Sequence, residues 1–206
     1  MPRISAQRRD ARRQQILDAA LALFSENGFH QTGMAEIVAA TRLSRGAVYL
    51  YFSSKDEIIE ALADDRHASE ALINLAAAQE THALAALRSL VAAYARALVE
   101  PGAQARRRVS VHGWAEALRN DRVRAGVVEG VDAPRRLLAG VVSRAQEAGQ
   151  IACDLDPDAI ARTLIAIFQG FVLQASWGEP VDFDACLKTV ERMLDGLSTA
   201  QASASP

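Results

Sequence analysis

The chain has 206 residues, 50% hydrophobic and 5% aromatic, enough to bury a proper core and to form one or two compact units. Its net charge is only −2, but residues 1–55 hold eight Lys and Arg against four Asp and Glu, while residues 56–206 hold fifteen against twenty-one, so the N-terminal end is basic and the remainder acidic. Cys153, Cys186 and four scattered histidines have no metal-ligand spacing, no run of eighteen apolar residues is free of charge, and the N-terminus has no signal-peptide h-region; a zinc module, a membrane span and a secreted disulfide scaffold are thereby excluded, and reduced, structural cysteines in a cytoplasmic protein are expected.

Arg8, Arg9, Arg12 and Arg13 precede an apolar stripe of Ile16, Leu17, Ala20, Leu23 and Phe24, which predicts a first helix ending near Asn27-Gly28. Met34, Ile37 and Val38 form the stripe of a short helix up to Thr41, and Val48 and Phe52 do the same for a helix over 45–52. Arg42-Leu43-Ser44 between them is long enough only for a turn, with Leu43 turned inward and Ser44 suited to cap the second helix. This is a helix-turn-helix layout. Taken alone, the four early arginines are a solvated helix start. Beside a helix-turn-helix they read as an arm that neutralises phosphates, giving salt-sensitive, sequence-independent affinity.

The second of the two short helices starts Arg45-Gly46-Ala47. Glycine costs a helix ~1 kcal/mol relative to alanine, so Gly46 suggests close approach of the backbone to another surface, with free N–H groups for phosphate. Tyr49 shares the face of Arg45, opposite Val48 and Phe52. Ser54-Lys55-Asp56-Glu57 reads as a capping box, with Lys55 on the wrong end of the helix dipole. A phosphate partner accounts for that lysine better than chance does.

Beyond Glu57 the pattern stays helical, punctuated at Pro101-Gly102, Asp132-Ala133-Pro134, Gly149, Asp156-Pro157 and Gly178-Glu179-Pro180. Helices are predicted near 55–79, 81–100, 103–119, 121–130, 134–148, 157–177 and 183–197, with 198–206 a disordered tail. The result is an all-α chain of about nine helices, divided into an N-terminal arm and three-helix head (1–54) and a C-terminal body (55–197). Ile160, Leu164, Phe168, Phe171 and Val172 nearly encircle one late helix, and Leu187, Val190 and Leu194 stripe the last, so both need cover from the domain or from a second subunit.

From Gly28 to Glu57 the sequence resembles the TetR family of bacterial transcriptional regulators. Gly28, Phe29, Thr32, Met34, Glu36, Ile37, Leu43, Ser44, Gly46, Val48, Tyr49, Tyr51, Phe52, Ser54, Lys55 and Glu57 fall at the signature's places, with Arg45 and Leu50 at variable ones. Gly33 stands where a capping Thr or Ser is usual, Arg42 where a turn glycine is usual, and Thr41 where an alanine is usual.

The resemblance implies a homodimeric repressor of a palindromic operator in double-stranded DNA, nucleoid-associated, with half-sites about 34–36 Å apart or at a related spacing, released by a small-molecule effector in the C-terminal domain. Arg45, Tyr49 and Leu50 would read bases or adjoining phosphates, Ser44 and Gly46 bring the helix start close, and Thr32, Tyr51 and Lys55 fix register. A hydrophobic or aromatic effector would lie among Tyr94, His112, Trp114, Phe168 and Gln169, each of which taken alone is more simply core packing. Leu164, Phe171, Val190 and Leu194 are the candidate dimer contacts in a four-helix bundle. The alternatives are an effector-independent DNA-binding dimer or activator and, with His112 and Glu116 at i, i+4 as its only pair, a small helical enzyme; no catalytic constellation, cofactor or metal is expected.

Overall fold

A computed structural model describes residues 6–65, 82–178 and 180–197, and every element among them is an α-helix. In chain order these are α1 (Ala6–Gln31), α2 (Met34–Thr41), α3 (Arg45–Tyr49), α4 (55–65), α5 (Ala83–Ala97), α6 (Ala103–Glu116), α7 (Asp121–Glu147), α8 (Pro157–Ser176) and α9 (Phe183–Asp195). The expected continuation of the fourth helix to residue 79, the first residues of the arm and the tail from 198 fall outside the described residues.

Two separate cores form. Ile16, Leu17, Ala20 and Phe24 of α1 close over Ile37, Val48 and Phe52, and Ile58 and Ala61 of α4 complete that head. The head's packing therefore runs past residue 54 into α4. The body buries Leu84, Leu87 and Leu90 of α5 against Leu138, Val141 and Val142 of α7, with Ile160 of α8 and Leu194 of α9.

Within α1 the helix breaks at Gly28 (φ 74°, ψ 175°), where the sequence signals its end. A side chain is strained in that conformation, and a Cβ there would also meet the His112 ring at 3.4 Å. The Thr32 hydroxyl then donates to the Gly28 carbonyl at 2.9 Å, tying off the turn. Arg42 follows α2 in the left-handed region (φ 56°, ψ 18°), the one non-glycine residue with positive φ among those described. Gln15 of α1 donates to the Thr41 carbonyl at 2.8 Å and holds this turn against the first helix.

Three expectations change. The predicted helices 121–130 and 134–148 are one helix, α7, running through Pro134. Pro134 has no N–H for the Gly130 carbonyl, so one rung is missing, but Leu138, Val141, Val142 and Ala145 are buried in the body core and hold the helix in register across the gap. The capping box before α4 is displaced by one residue: Ser54 Oγ accepts from Glu57 N at 3.3 Å, but the Glu57 carboxylate takes the Ser53 N–H and hydroxyl at 2.7 and 2.6 Å. Cys153 is exposed and free and so is not a core residue, while Cys186 is free and half-buried.

The strained cap gives a stability test. Replacing Arg42 by Gly relieves an L-residue of the left-handed conformation at the cost of a more flexible unfolded chain, and a net gain of about 0.5–1 kcal/mol is expected in urea unfolding. A loss of stability would mean that contacts of the Arg42 side chain outweigh the strain.

Candidate nucleic-acid interface and helical cavity

α3 is positioned by its two ends. Ser44 Oγ accepts from Ala47 N at 3.2 Å as the N-cap, and Val48 and Phe52 anchor the helix in the head core. The opposite face is then presented outward. The Arg45 guanidinium lies 5.4 Å over the Tyr49 ring, so the two share a face, as their spacing predicts. Leu50 is 83% exposed and Tyr49 39%, which leaves both free for a partner surface. A Cβ on Gly46 would meet nothing within 4 Å, so the helix start faces open space. Beside it, Arg9 and Arg12 of α1 share a groove with Ala47, Leu50 and Tyr51, which brings the basic start of α1 alongside the reading helix.

Two of the expected DNA contacts have other work. Thr32 is withdrawn from that set, because it is 1% exposed and its hydroxyl is bound to the Gly28 carbonyl. Lys55 is half-buried and its ammonium donates to the Phe29 carbonyl at 2.7 Å, fixing the start of α4 on the turn after Gly28. That bond explains a lysine in the first turn, and two N–H groups remain for phosphate.

A cavity of about 100 Å³ lies inside the body between α5, α6, α7, α8 and α9. That is room for several water molecules. Tyr94, Trp114, Phe168 and Gln169 all line it, with Tyr94 and Phe168 edge to face at 5.5 Å between ring centroids. His112 does not. It faces the other way, packing its ring against Gly28 and edge-on to Phe29 at 6.3 Å. Trp114 is two positions along the helix from His112, a rotation of about 200°, which is why they look in opposite directions.

Of the dimer candidates, Val190 and Leu194 are buried inside the chain (6% and 1% exposed), and Leu164 and Phe171 line the cavity while half-buried. Val190 and Leu194 face the body because α9 closes it. α8 is long and apolar enough to cross a membrane by length and composition alone, and most of its residues are half-buried or exposed in the single chain.

Sequence reasoning missed the seam between head and body. α6 lies along α1, with Val109, His112, Gly113 and Glu116 at i, i+3, i+4 and i+7 on one face. Glu116 is 8% exposed, with His30 Nε2 at 2.6 Å and Arg119 Nε at 3.0 Å. Burial pushes its carboxyl up, but hydrogen bonds from Arg119 and His30, with their charges, outweigh this and hold it below the usual carboxylate range. Burial, helped by Arg108, pushes the His112 imidazole down. Nothing near residues 112–119 announces His30 as a partner; only the fold brings them together. Among the described residues no cluster of His, Cys, Asp and Glu could hold a metal.

A basic helix-turn-helix head on a hollow helical body defines a DNA-binding protein with an internal cavity. Residues 16–62 match the model for bacterial regulatory proteins of the tetR family, and residues 86–199 that for the C-terminal part of BetI-type transcriptional repressors. The chain belongs to the TetR family of transcriptional regulators. It is similar to the A-factor receptor protein of Streptomyces griseus (28% identical over 174 residues, 77% of this chain and 52% of that one) and to the HTH-type regulator YfiR of Bacillus subtilis (39% over 61 residues, 30% of each). The chain thus spans about half or less of these curated relatives. The solved structure of Salmonella enterica GusR is 28% identical and covers 95% of this chain and 98% of its own, with a TM-score of 0.73.

The seam predicts an acid dependence. His112 is held neutral and Glu116 ionised in the closed seam, so protonation of either favours opening. The contribution of His112 is complete above its ordinary value of 6.5 and is lost below it, and that of Glu116 is complete above 4.5 and lost below that. Thermal stability should therefore fall in two stages on acidification, and His112→Phe should remove the upper stage alone. A single stage in both proteins would refute the assignment.

Proposed function

We propose that the chain is a homodimeric repressor that occupies a palindromic operator and releases it when a small molecule enters the body cavity. The observation that carries this reading is the double duty of α6. Trp114 faces the cavity, while His112, Gly113 and Glu116 of the same turns meet the head. A ligand that shifts α6 must therefore work against the seam, and its differential affinity for the two arrangements is what it delivers to the head, typically ~1–3 kcal/mol. The cavity favours this over an effector-independent regulator. A non-enzymatic role is supported by the use of both His112 and Glu116 in the seam.

Arg45, Tyr49 and Leu50 read base edges or adjoining phosphates in the major groove, Ser44 and Gly46 let the helix start come close, and Tyr51, Lys55, Arg9 and Arg12 hold the backbone. The partner subunit covers the outward face of α8 and α9, where Ala166, Gly170, Leu173, Trp177 and Met193 are exposed or half-buried; Trp177 is 67% exposed and Met193 59%. Head and body act as separate units joined through α4 and the seam, and the protein works in the cytoplasm on the nucleoid.

Two measurements test this. Mobility shift on the upstream intergenic DNA should show Arg45→Ala and Tyr49→Ala each losing about tenfold or more in affinity, roughly 1–3 kcal/mol, with unchanged melting temperature. Equal binding by both variants would reject the interface. A Cβ on Gly170 would meet open space in the single chain, so Gly170→Arg should be tolerated by the fold yet sediment as a monomer and bind operator at least about tenfold more weakly. A dimeric Gly170→Arg with full operator affinity would place the subunit contact elsewhere.

A further inference from the structure

Among the described residues, Arg107 Nε is the one buried side-chain nitrogen or oxygen without a hydrogen-bond partner. Buried polar atoms are nearly always paired, so an exception asks for an explanation. Its neighbours supply one. The guanidinium lies 5.7 Å over the Phe183 ring, and one terminal N–H donates to the Leu98 carbonyl. Phe183 and Leu98 both line the body cavity, so Arg107 adjoins the cavity between two of its wall residues. It also precedes Trp114 by two helical turns, which places the two on one face of α6.

The charge balance around Arg107 is uneven. Arg106 has Glu100 at 3.7 Å, but neither Arg107 nor Arg108 has a carboxylate partner among the described residues. Burial and the neighbouring Arg106 both push the Arg107 guanidinium down, the signature of a cation short of solvent and of counter-charge. A cation with a buried, unpaired N–H and no counter-charge is costly, and an anion with acceptor oxygens recovers that cost best. A cationic ligand would add to the repulsion, and a neutral acceptor could pair Nε but would leave the charge unmatched. Carboxylate geometry suits the guanidinium fork.

We propose that the cavity binds an amphipathic anion, an acyl or aryl carboxylate whose apolar body packs on Trp114 and Phe168 and whose carboxylate meets the Arg107 guanidinium. The inference rests on the reading of this cavity as the effector site and adds the chemical class of the effector. Aromatic walls receive the body, and Arg107 sets the polarity of the head group.

The test uses the full, unsubstituted chain. Binding of octanoate and phenylbutyrate, of the matching alcohols and of the matching trimethylammonium compounds is measured by isothermal titration calorimetry, and operator release is followed in parallel by mobility shift. The carboxylates should bind about tenfold or more tightly than their alcohols, and the ammonium compounds more weakly than either. Arg107→Gln should erase the carboxylate preference while holding alcohol affinity within about twofold, and Arg107→Lys should keep part of it. Alcohols or ammonium compounds that match the carboxylates, or a preference that survives in Arg107→Gln, would overturn the inference and leave the effector site standing. Arg107-dependent carboxylate binding without operator release would support the inference and sink effector control. Binding by no compound of any class would overturn both.

Discussion

The structure depends on the seam where α6 lies along α1, and the seam depends on one backbone conformation. Gly28 ends the long first helix in the left-handed region, a turn that a side chain would strain, with the His112 ring in van der Waals reach beside it. That turn sets Phe29 edge-on to His112, offers the Gly28 carbonyl to Thr32 and the Phe29 carbonyl to Lys55, and so fixes where α2 and α4 begin. The reading helix, the link to the body and the contact with α6 all take their positions from these few residues. Any rotation of the head relative to the body must break or carry this set as a unit.

α6 is well placed to impose such a rotation because its faces have different tasks. The stripe of Val109, His112, Gly113 and Glu116 belongs to the seam, and Arg107 and Trp114 belong to the cavity side. A helix is stiff along its axis, so displacement at Trp114 cannot be absorbed within one turn before it reaches Glu116. The other cavity walls contribute differently. Pro134 removes a rung from α7 at the place where Gly130 and Val131 also line the cavity, so the helix there lacks one of its own backbone hydrogen bonds.

Much of the head was legible in the sequence, because its information is local. Ser44 as a cap, Val48 and Phe52 as anchors and Arg45 with Tyr49 on one outward face follow from spacings of three and four residues, and the structure has each of them. Thr32 was misread because an exposed threonine that binds phosphate and a buried one that binds a carbonyl look alike in sequence; only the turn at Gly28 tells them apart. α7 was cut in two because Asp132-Ala133-Pro134 has the composition of a turn, while the packing that overrides it comes from α5 and α8, distant in sequence. The misassignment of His112 is more instructive: it lies two residues from Trp114, and a strict count of helical rotation separates the two faces that a search for polar-tipped residues merges. Val190 and Leu194 failed for the opposite reason, since an apolar stripe records that a face is covered but not by which chain.

The pairing of polar groups distinguishes the parts of the molecule that hold it together from the part that can sense. Thr32, Lys55 and Glu116 each have a partner in the folded chain, with Glu116 held between His30 and Arg119, so a ligand gains little by touching them. An effector shifts a conformational equilibrium only by the difference in its interaction with the two states. That difference is largest where the protein has left a polar group unpaired and out of water. Arg107 Nε is such a group, on the helix that also carries the seam, and the proposed carboxylate would supply its missing partner there.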